Sequence, residues 1–447
     1  MKDLTSGKEG RLIFRFALPM LLGNVFHQLY NVVDSVIVGN FIGKEALAAV
    51  GASFPVIFVF FALVLGITSG ATVVIAQHFG AGEHDRVKRT IDTLFIFLFF
   101  ASIVVSILGI IFSREIFQLL RLPGEVIPLA EQYLQIFFGG VLAFFGFMGT
   151  SASLRGLGDS RTPLYFMIIS TFFNIGFDLL FVVVFGWGIR GVAFASVLAQ
   201  AGAFVTAIFY LNRYHQVIQF SLTRWSFDRE LFRKSLRIGI PTGIQQTAVA
   251  LGMMALVWIV DAFGTNVIAA YSVAARVNSL ATLPAMNFGS ALATFTGQNL
   301  GAQKEARVKT GFRATVLMSS VVSLLVSGAV VFFGNFVMGL FTNDPDVVRI
   351  GSEYLAIVGS FYVIFSAMFA TSGVLRGAGA TLVPMITTII SLWAIRIPAA
   401  YFLSQQYGPT GIWWSVPLGW LLGLVMAYGY YLSGWWKSKV VVANTPV

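Results

Sequence analysis

Cysteine is absent from all 447 residues, which excludes disulfides and thiolate metal ligation. Charge is scarce too: Asp, Glu, Lys and Arg make up 11% of the chain, against roughly a quarter in soluble domains. With a mean hydropathy of +0.83, most of the surface must face something other than water. No G-x-x-x-x-G-K-[ST] loop occurs, so the chain carries no nucleotide motor of that kind. A Ser/His pair, a His-rich metal motif and a paired-aspartyl motif are missing as well, so the expectation is a non-enzyme without cofactor. The apolar run from Leu12 is too long for the h-region of a cleavable signal, and the first span is expected to persist in the mature protein.

What is abundant is apolar sequence, 57% of the residues, arranged in long uncharged runs. These cover 46–82, 93–113, 132–154, 191–212, 238–260, 314–343, 354–375 and 397–436. Each meets the roughly 20 residues that a spanning helix needs, and the two longest exceed one span. Further spans carry one or two charges: 12–38 holds Arg15 and Asp34, 163–185 holds Asp178, 384–403 holds Arg396, and the run after Ala262 holds Arg276. The reading is an all-α integral membrane protein with twelve transmembrane helices, six in each half. Pro55, Pro241, Pro284 and Pro398 read as kinks within it. The 44 Phe residues read mainly as lipid-facing surface and filling between helices.

The second half restates the first at an offset of 221 residues. Tyr133-Leu134 recurs as Tyr354-Leu355, and Leu154-Arg155-Gly156-Leu157-Gly158 as Leu375-Arg376-Gly377-Ala378-Gly379. Gln77-His78-Phe79-Gly80-Ala81 returns as Gln298-Asn299-Leu300-Gly301-Ala302, and Arg86-Val87-Lys88 as Arg307-Val308-Lys309. Six helices is an even number, so the second half re-enters the bilayer from the side where the first began, and the repeats are parallel. The expected organisation is an N-terminal bundle (1–211), a cytoplasmic linker (212–232) and a C-terminal bundle (233–447). Most of the 29 Lys and Arg residues fall on the side of the linker and termini, which places both termini in the cytoplasm. The net charge of +10 is thus an orientation signal and not a mark of nucleic-acid binding, although basic residues between Arg213 and Arg237 also lie within reach of anionic lipid head groups. His78, His84 and His215 are expected to be solvated at cytoplasmic ends. The chain is read as a monomer in the plasma membrane, the inner membrane if the cell is bacterial.

A carboxylate in hydrocarbon costs about 2.5–3.5 kcal/mol on insertion scales, so acids inside spans are candidate sites. There are two, Asp34 and Asp178, and no Asp or Glu follows Glu353. Asn24, His27, Gln28, Asn31, Asp34 and Ser35 fall within about 120° of arc on the first helix, a polar stripe expected to line an aqueous cavity. Ser170, Asn174 and Asp178 form a second line at i, i+4 and i+8. At 1.5 Å per residue, Asp34 and Asp178 lie roughly 8 and 12 Å below the external ends of their helices, in the layer reached by Tyr133 and Ser196. Two carboxylates in one low-dielectric layer raise each other's proton affinity, which suits exchange of a proton or small cation.

Twelve spans, duplicated halves and the Leu-Arg-Gly-x-Gly turn after spans 4 and 10 make the full chain resemble the multidrug and toxic compound extrusion family. The resemblance implies secondary active efflux of small amphiphilic molecules by cation-coupled antiport, with alternating access between two bundles. It also implies a cation site at Asp34, Asn174, Asp178, Tyr133 and Ser196, and a bending role for Pro19 tied to the charge of Asp34. Protons are preferred to Na+ as coupling ion, because protonation needs only the carboxylates; sodium at Asp34, Asn174 and Asp178 would be the only metal. The chain departs from sodium-coupled relatives that carry acids in spans 7 and 10, having Gln245 and Gln246 in span 7 and Phe365-Ser366-Ala367 in span 10. A second-half cation site is therefore not expected. Gln245, Gln246, Arg276, Arg396, His27 and Asn31 remain candidates for lining the cavity or touching substrate. A flippase for lipid-linked saccharides and a passive channel stay open as alternatives.

Overall fold

The structure is a computed structural model describing residues 3–214 and 226–442; His215 and the middle of the expected linker lie outside the described residues. In a bilayer only internal hydrogen bonds satisfy the backbone, so apolar runs of this length fold as helices. The first half comprises α1 (Glu9–Phe41), α2 (Lys44–Gly80), α3 (His84–Ile111), short α4 (Ser113–Leu119), α5 (Ile127–Gly139), α6 (Val141–Gly156), α7 (Arg161–Asp178) and α8 (Ile189–Tyr214). A π-helical segment, Leu179–Val184, extends α7. The second half comprises α9 (Arg229–Asp261), α10 (Thr265–Gly301), α11 (Glu305–Phe332), short α12 (Gly334–Gly339), α13 (Pro345–Gly359), α14 (Tyr362–Gly377), α15 (Leu382–Ile389), α16 (Ile397–Tyr407) and α17 (Pro409–Ser433). There the π segment is Ile390–Arg396, between α15 and α16.

Among the described residues, nine helices are individually long and apolar enough to cross a membrane. The bent pairs α5–α6 (52°) and α13–α14 (49°) each count as one more. The twelfth span is α10, which matches the 37 residues of α2 but carries more polar side chains. Exposed rings such as Trp258 and Phe332, both 84% accessible, suit a lipid surround. The repeat is as plain in the backbone as in the sequence. The bounds of α10, α11 and α14 are those of α2, α3 and α6 moved by the same 221 residues. The two Leu-Arg-Gly-x-Gly turns share a cause: Gly158 and Gly379 adopt φ of 80° and 89° just beyond α6 and α14, where a side chain would strain the backbone.

Packing divides the described residues into two units that do not coincide with the halves of the chain. One holds Pro19–Ile240; the other holds Asp3–Leu18 and the residues from Pro241 onward. Both boundaries fall at a proline inside a continuous helix, Pro19 in α1 and Pro241 in α9. The first unit centres on Leu134, Phe138, Phe145 and Val192, the second on Tyr354, Leu355, Val358 and Trp413.

The leading segment is tied into the second unit by the repeated Gln-Asn and Arg positions. Gln298 Oε1 accepts from the Leu4 amide at 3.0 Å, and Asn299 Nδ2 donates to the Leu4 carbonyl at 3.1 Å. Arg307 donates to the Gly7 carbonyl at 2.8 Å and pairs with Glu9 at 3.0 Å. Burial alone would raise the Asp3 carboxyl, but hydrogen bonds from Thr5 and Ser6 and the charge of Lys304 outweigh it and hold the group below its ordinary value. In the first unit, His78 occupies the repeat position of Asn299. It is fully buried, with Nδ1 2.6 Å from Glu83 Oε2, so the expectation of a solvated His78 is wrong. The last turn of α2 is packed inside the unit, with Ile75, Ala76 and Gln77 equally buried, and hydropathy gives no sign of that.

Glycine sets the closest helix contacts. In the second unit α14 lies on α10 so tightly that a Cβ on Gly373 would overlap the carbonyl oxygen of Gly289. A Cβ on Gly289 would stand 2.7 Å from the carbonyl oxygen of Phe369. Small residues at such crossings let two backbones approach where apolar side chains gain nothing by leaving lipid.

Candidate functional site

The first unit gathers five of the residues singled out in the sequence. Asp34 on α1 interacts with Asp178 and Asn174 on α7 and with the hydroxyl of Tyr30, one turn earlier on its own helix. Asp178 is the last residue of α7, immediately before the π segment. Local π geometry often accompanies functional positions in helices. Tyr133 on α5 lies in electrostatic range of both carboxyls. Ser196 on α8 reaches the site through Tyr30, whose hydroxyl is 2.7 Å from Ser196 Oγ. Four helices therefore converge on one polar cluster inside an apolar bundle.

Burial and satisfaction define its chemistry. Asp178 and Asn174 are inaccessible, and Asp34 is 7% exposed. Yet one oxygen of Asp34, both oxygens of Asp178 and both amide heteroatoms of Asn174 are buried without a hydrogen-bond partner. No Lys or Arg among the described residues pairs with either carboxyl. Two adjacent ionised carboxylates without a cation are costly to hold in a low-dielectric interior. A proton held by one carboxyl, or a small cation between the oxygens, relieves that cost. The carboxylates and the Asn174 carbonyl oxygen supply donors of the hard type that Na+ accepts, but no cluster of three or more His, Cys, Asp or Glu residues occurs among the described residues.

Tyr30 escaped the sequence reading. It lies outside the arc of the polar stripe, although its i, i+4 spacing to Asp34 is the signal that places it on that side of α1. His27 and Asn31 stay at the accessible face of α1, 3.4 Å apart from ring nitrogen to amide nitrogen. In the second unit Gln245 is committed to structure: it donates to Thr388 Oγ1 at 2.7 Å and to the Pro384 carbonyl, and accepts from Arg376. Gln246 is half-buried beside it, Arg276 is exposed on α10, and Arg396 is buried at the end of the second π segment. Pro19 sits in α1 fifteen residues before Asp34.

The MatE family model matches the chain twice, over residues 19–180 and 241–402. The probable multidrug resistance protein YpnP of Bacillus subtilis (strain 168) is 33% identical over 439 residues, covering 98% of each chain. The probable multidrug resistance protein NorM of Thermotoga maritima is 28% identical over 446 residues, covering 97% of this chain and 95% of the relative. Among solved structures, an outward-facing multidrug resistance MATE family transporter of the MOP superfamily superposes with a TM-score of 0.91 at 23% identity, covering 98% of this chain and 99% of that one.

Proposed function

The chain belongs to the MatE family of membrane transporters, and from that premise we propose that it is a secondary active exporter of small amphiphilic compounds, driven by a cation entering at Asp34 and Asp178. The observation that carries this reading is the buried carboxyl pair whose oxygens lack partners. A site of this kind changes its net charge when one ion arrives or leaves, and charge inside a bilayer is too costly to ignore. Because Asp34 and Asp178 stand on different helices, an ion held by both favours the arrangement that brings α1 and α7 together. Its release favours any arrangement that separates them, the differential affinity on which alternating access depends. Full-length relatives named as multidrug resistance proteins support efflux over the flippase and channel readings.

We take H+ as the coupling ion, with the termini cytoplasmic. The test is transport by the purified protein in vesicles under separately imposed proton and sodium gradients. Substrate movement should follow the proton gradient and persist without sodium. Movement that survives collapse of the proton gradient and stops on removal of sodium would replace H+ by Na+, and movement indifferent to both would end the antiport reading.

Tyr30 offers a finer test. Phenylalanine keeps the ring and removes the hydroxyl that bonds Ser196 Oγ beside Asp34. A hydrogen bond of this kind is worth about 1 kcal/mol, so Tyr30→Phe should slow ion-driven transport severalfold at unchanged expression. A wild-type rate in the same vesicles would remove Tyr30 from the site.

A further inference from the structure

The second unit holds a polar centre of the opposite sign. Arg396 ends the π segment Ile390–Arg396, as Asp178 precedes the π segment of the first half. It is 8% exposed, its Nε is buried without a hydrogen-bond partner, and no carboxylate among the described residues pairs with it. No acid follows Glu353 in the sequence, and the Glu353 carboxyl accepts a hydrogen bond from Thr410. The Arg396 side chain runs past Gly419, where an added Cβ would stand 3.1 Å from Arg396 Cβ and 3.4 Å from its Cδ.

The phenol groups of Tyr271 and Tyr354 lie in electrostatic range of the guanidinium. They belong to an aromatic group built on Trp413, which stacks on Tyr271 at 5.8 Å and meets Tyr354 edge-on at 5.0 Å. Trp413 is inaccessible, and its indole Nε1 has no acceptor. The hydroxyl of Tyr362, a side chain 1% exposed, is buried unpartnered as well. Tyr354 stands at the repeat position of Tyr133, but the other members of this group have no counterpart in the first unit's cluster, and its polarity is reversed. There the unpartnered atoms are chiefly acceptors; here Arg396 Nε and Trp413 Nε1 are donors only, and Tyr362 can donate.

Water or a neutral carbonyl could satisfy the donors alone, but a negatively charged acceptor satisfies them and also offsets the charge of the unpaired guanidinium. We propose that the second unit contains an anion-binding site centred on Arg396, with Trp413 and Tyr354 beside it, that takes a single negative charge: the carboxylate of a transported compound or a free halide. The site does not depend on ion coupling in the first unit, so a failure of that reading leaves it standing.

Isothermal titration of the purified full-length protein with benzoate, at constant ionic strength and with chloride as competitor, tests it. Wild-type protein should bind benzoate saturably, Arg396→Gln at least tenfold more weakly, and Trp413→Phe, which keeps a ring and loses the N–H, severalfold more weakly. Arg349→Gln, a change at an exposed arginine paired with Asp346, should bind as wild type does. Displacement by chloride assigns the site to a free halide, and resistance to chloride assigns it to a carboxylate; both support an anion site. Absence of saturable binding of either anion, or benzoate affinity unaffected by Arg396→Gln, overturns the proposal. Should Arg396→Gln fail to yield folded protein, unchanged affinity in Trp413→Phe overturns it equally.

Discussion

Asparagine at position 34 or 178 is expected to abolish ion-driven efflux while leaving the protein folded in the membrane. The exchange keeps the shape of the side chain and removes the ability to carry a negative charge or give up a proton at neutral pH. That charge has few partners to lose: both oxygens of Asp178 and one of Asp34 have no hydrogen-bond partner, and neither carboxyl has an ion pair among the described residues. Replacing an unpaired buried carboxyl by its amide should therefore leave thermal stability unchanged or raise it. The measurement is substrate transport in vesicles beside a melting curve of the same preparation. Efflux close to the wild-type rate in either variant would show that the pair is not the coupling site, and joint loss of efflux and stability would show it to be structural. The expected signature is the split, with transport gone and the fold retained.

The largest effect on stability is expected from Gly373→Val. A side chain there meets the Gly289 backbone carbonyl, which no rotamer change moves, so α14 and α10 have to separate along their shared crossing. Overpacking of side chains alone typically costs about 1–3 kcal/mol, and displacement of a backbone costs more. Gly373→Val should leave little monodisperse protein, whereas Gly373→Ala should lower the melting temperature without eliminating the fold. Gly328→Ala on α11, where an added Cβ meets nothing within 4 Å, should be neutral or slightly stabilising, since glycine is a poor helix former. Size-exclusion profiles after graded heating distinguish these outcomes. Equal behaviour of the 373 and 328 variants would remove the close crossing from the account of stability.

These contrasts show which parts of the molecule the sequence exposes. Spans are legible because the bilayer imposes one length and one composition, and the duplication because each helix of a parallel repeat meets the same demands twice. Asp34 and Asp178 stand out because carboxylates are so rare in apolar runs. Tyr30 does not, being an aromatic among 15% aromatics, with a role set by a partner on α8 far along the chain. α10 is long enough to span but too polar to announce itself by hydropathy alone, and its counterpart α2 identifies it. His78 shows the limit from the other side. A histidine near a helix end reads as solvated until tertiary packing covers that end.

The division of the packing units at Pro19 and Pro241 bears on how the protein is made. Synthesis runs from the N terminus, and domains generally fold as units when their chain is complete. Here Asp3–Leu18, which precede Pro19–Ile240 in synthesis, belong to the unit completed later. The first unit in turn lacks its closing piece until the start of α9, up to Ile240, has left the ribosome. Neither unit can finish on its own half of the chain. The nascent leader, with the groups that later bond to Gln298, Asn299 and Arg307, has to remain unpaired through most of translation. A pause before residue 240 would thus hold both units open at once, and the step that completes the first also commits the chain to building the partner for its own beginning.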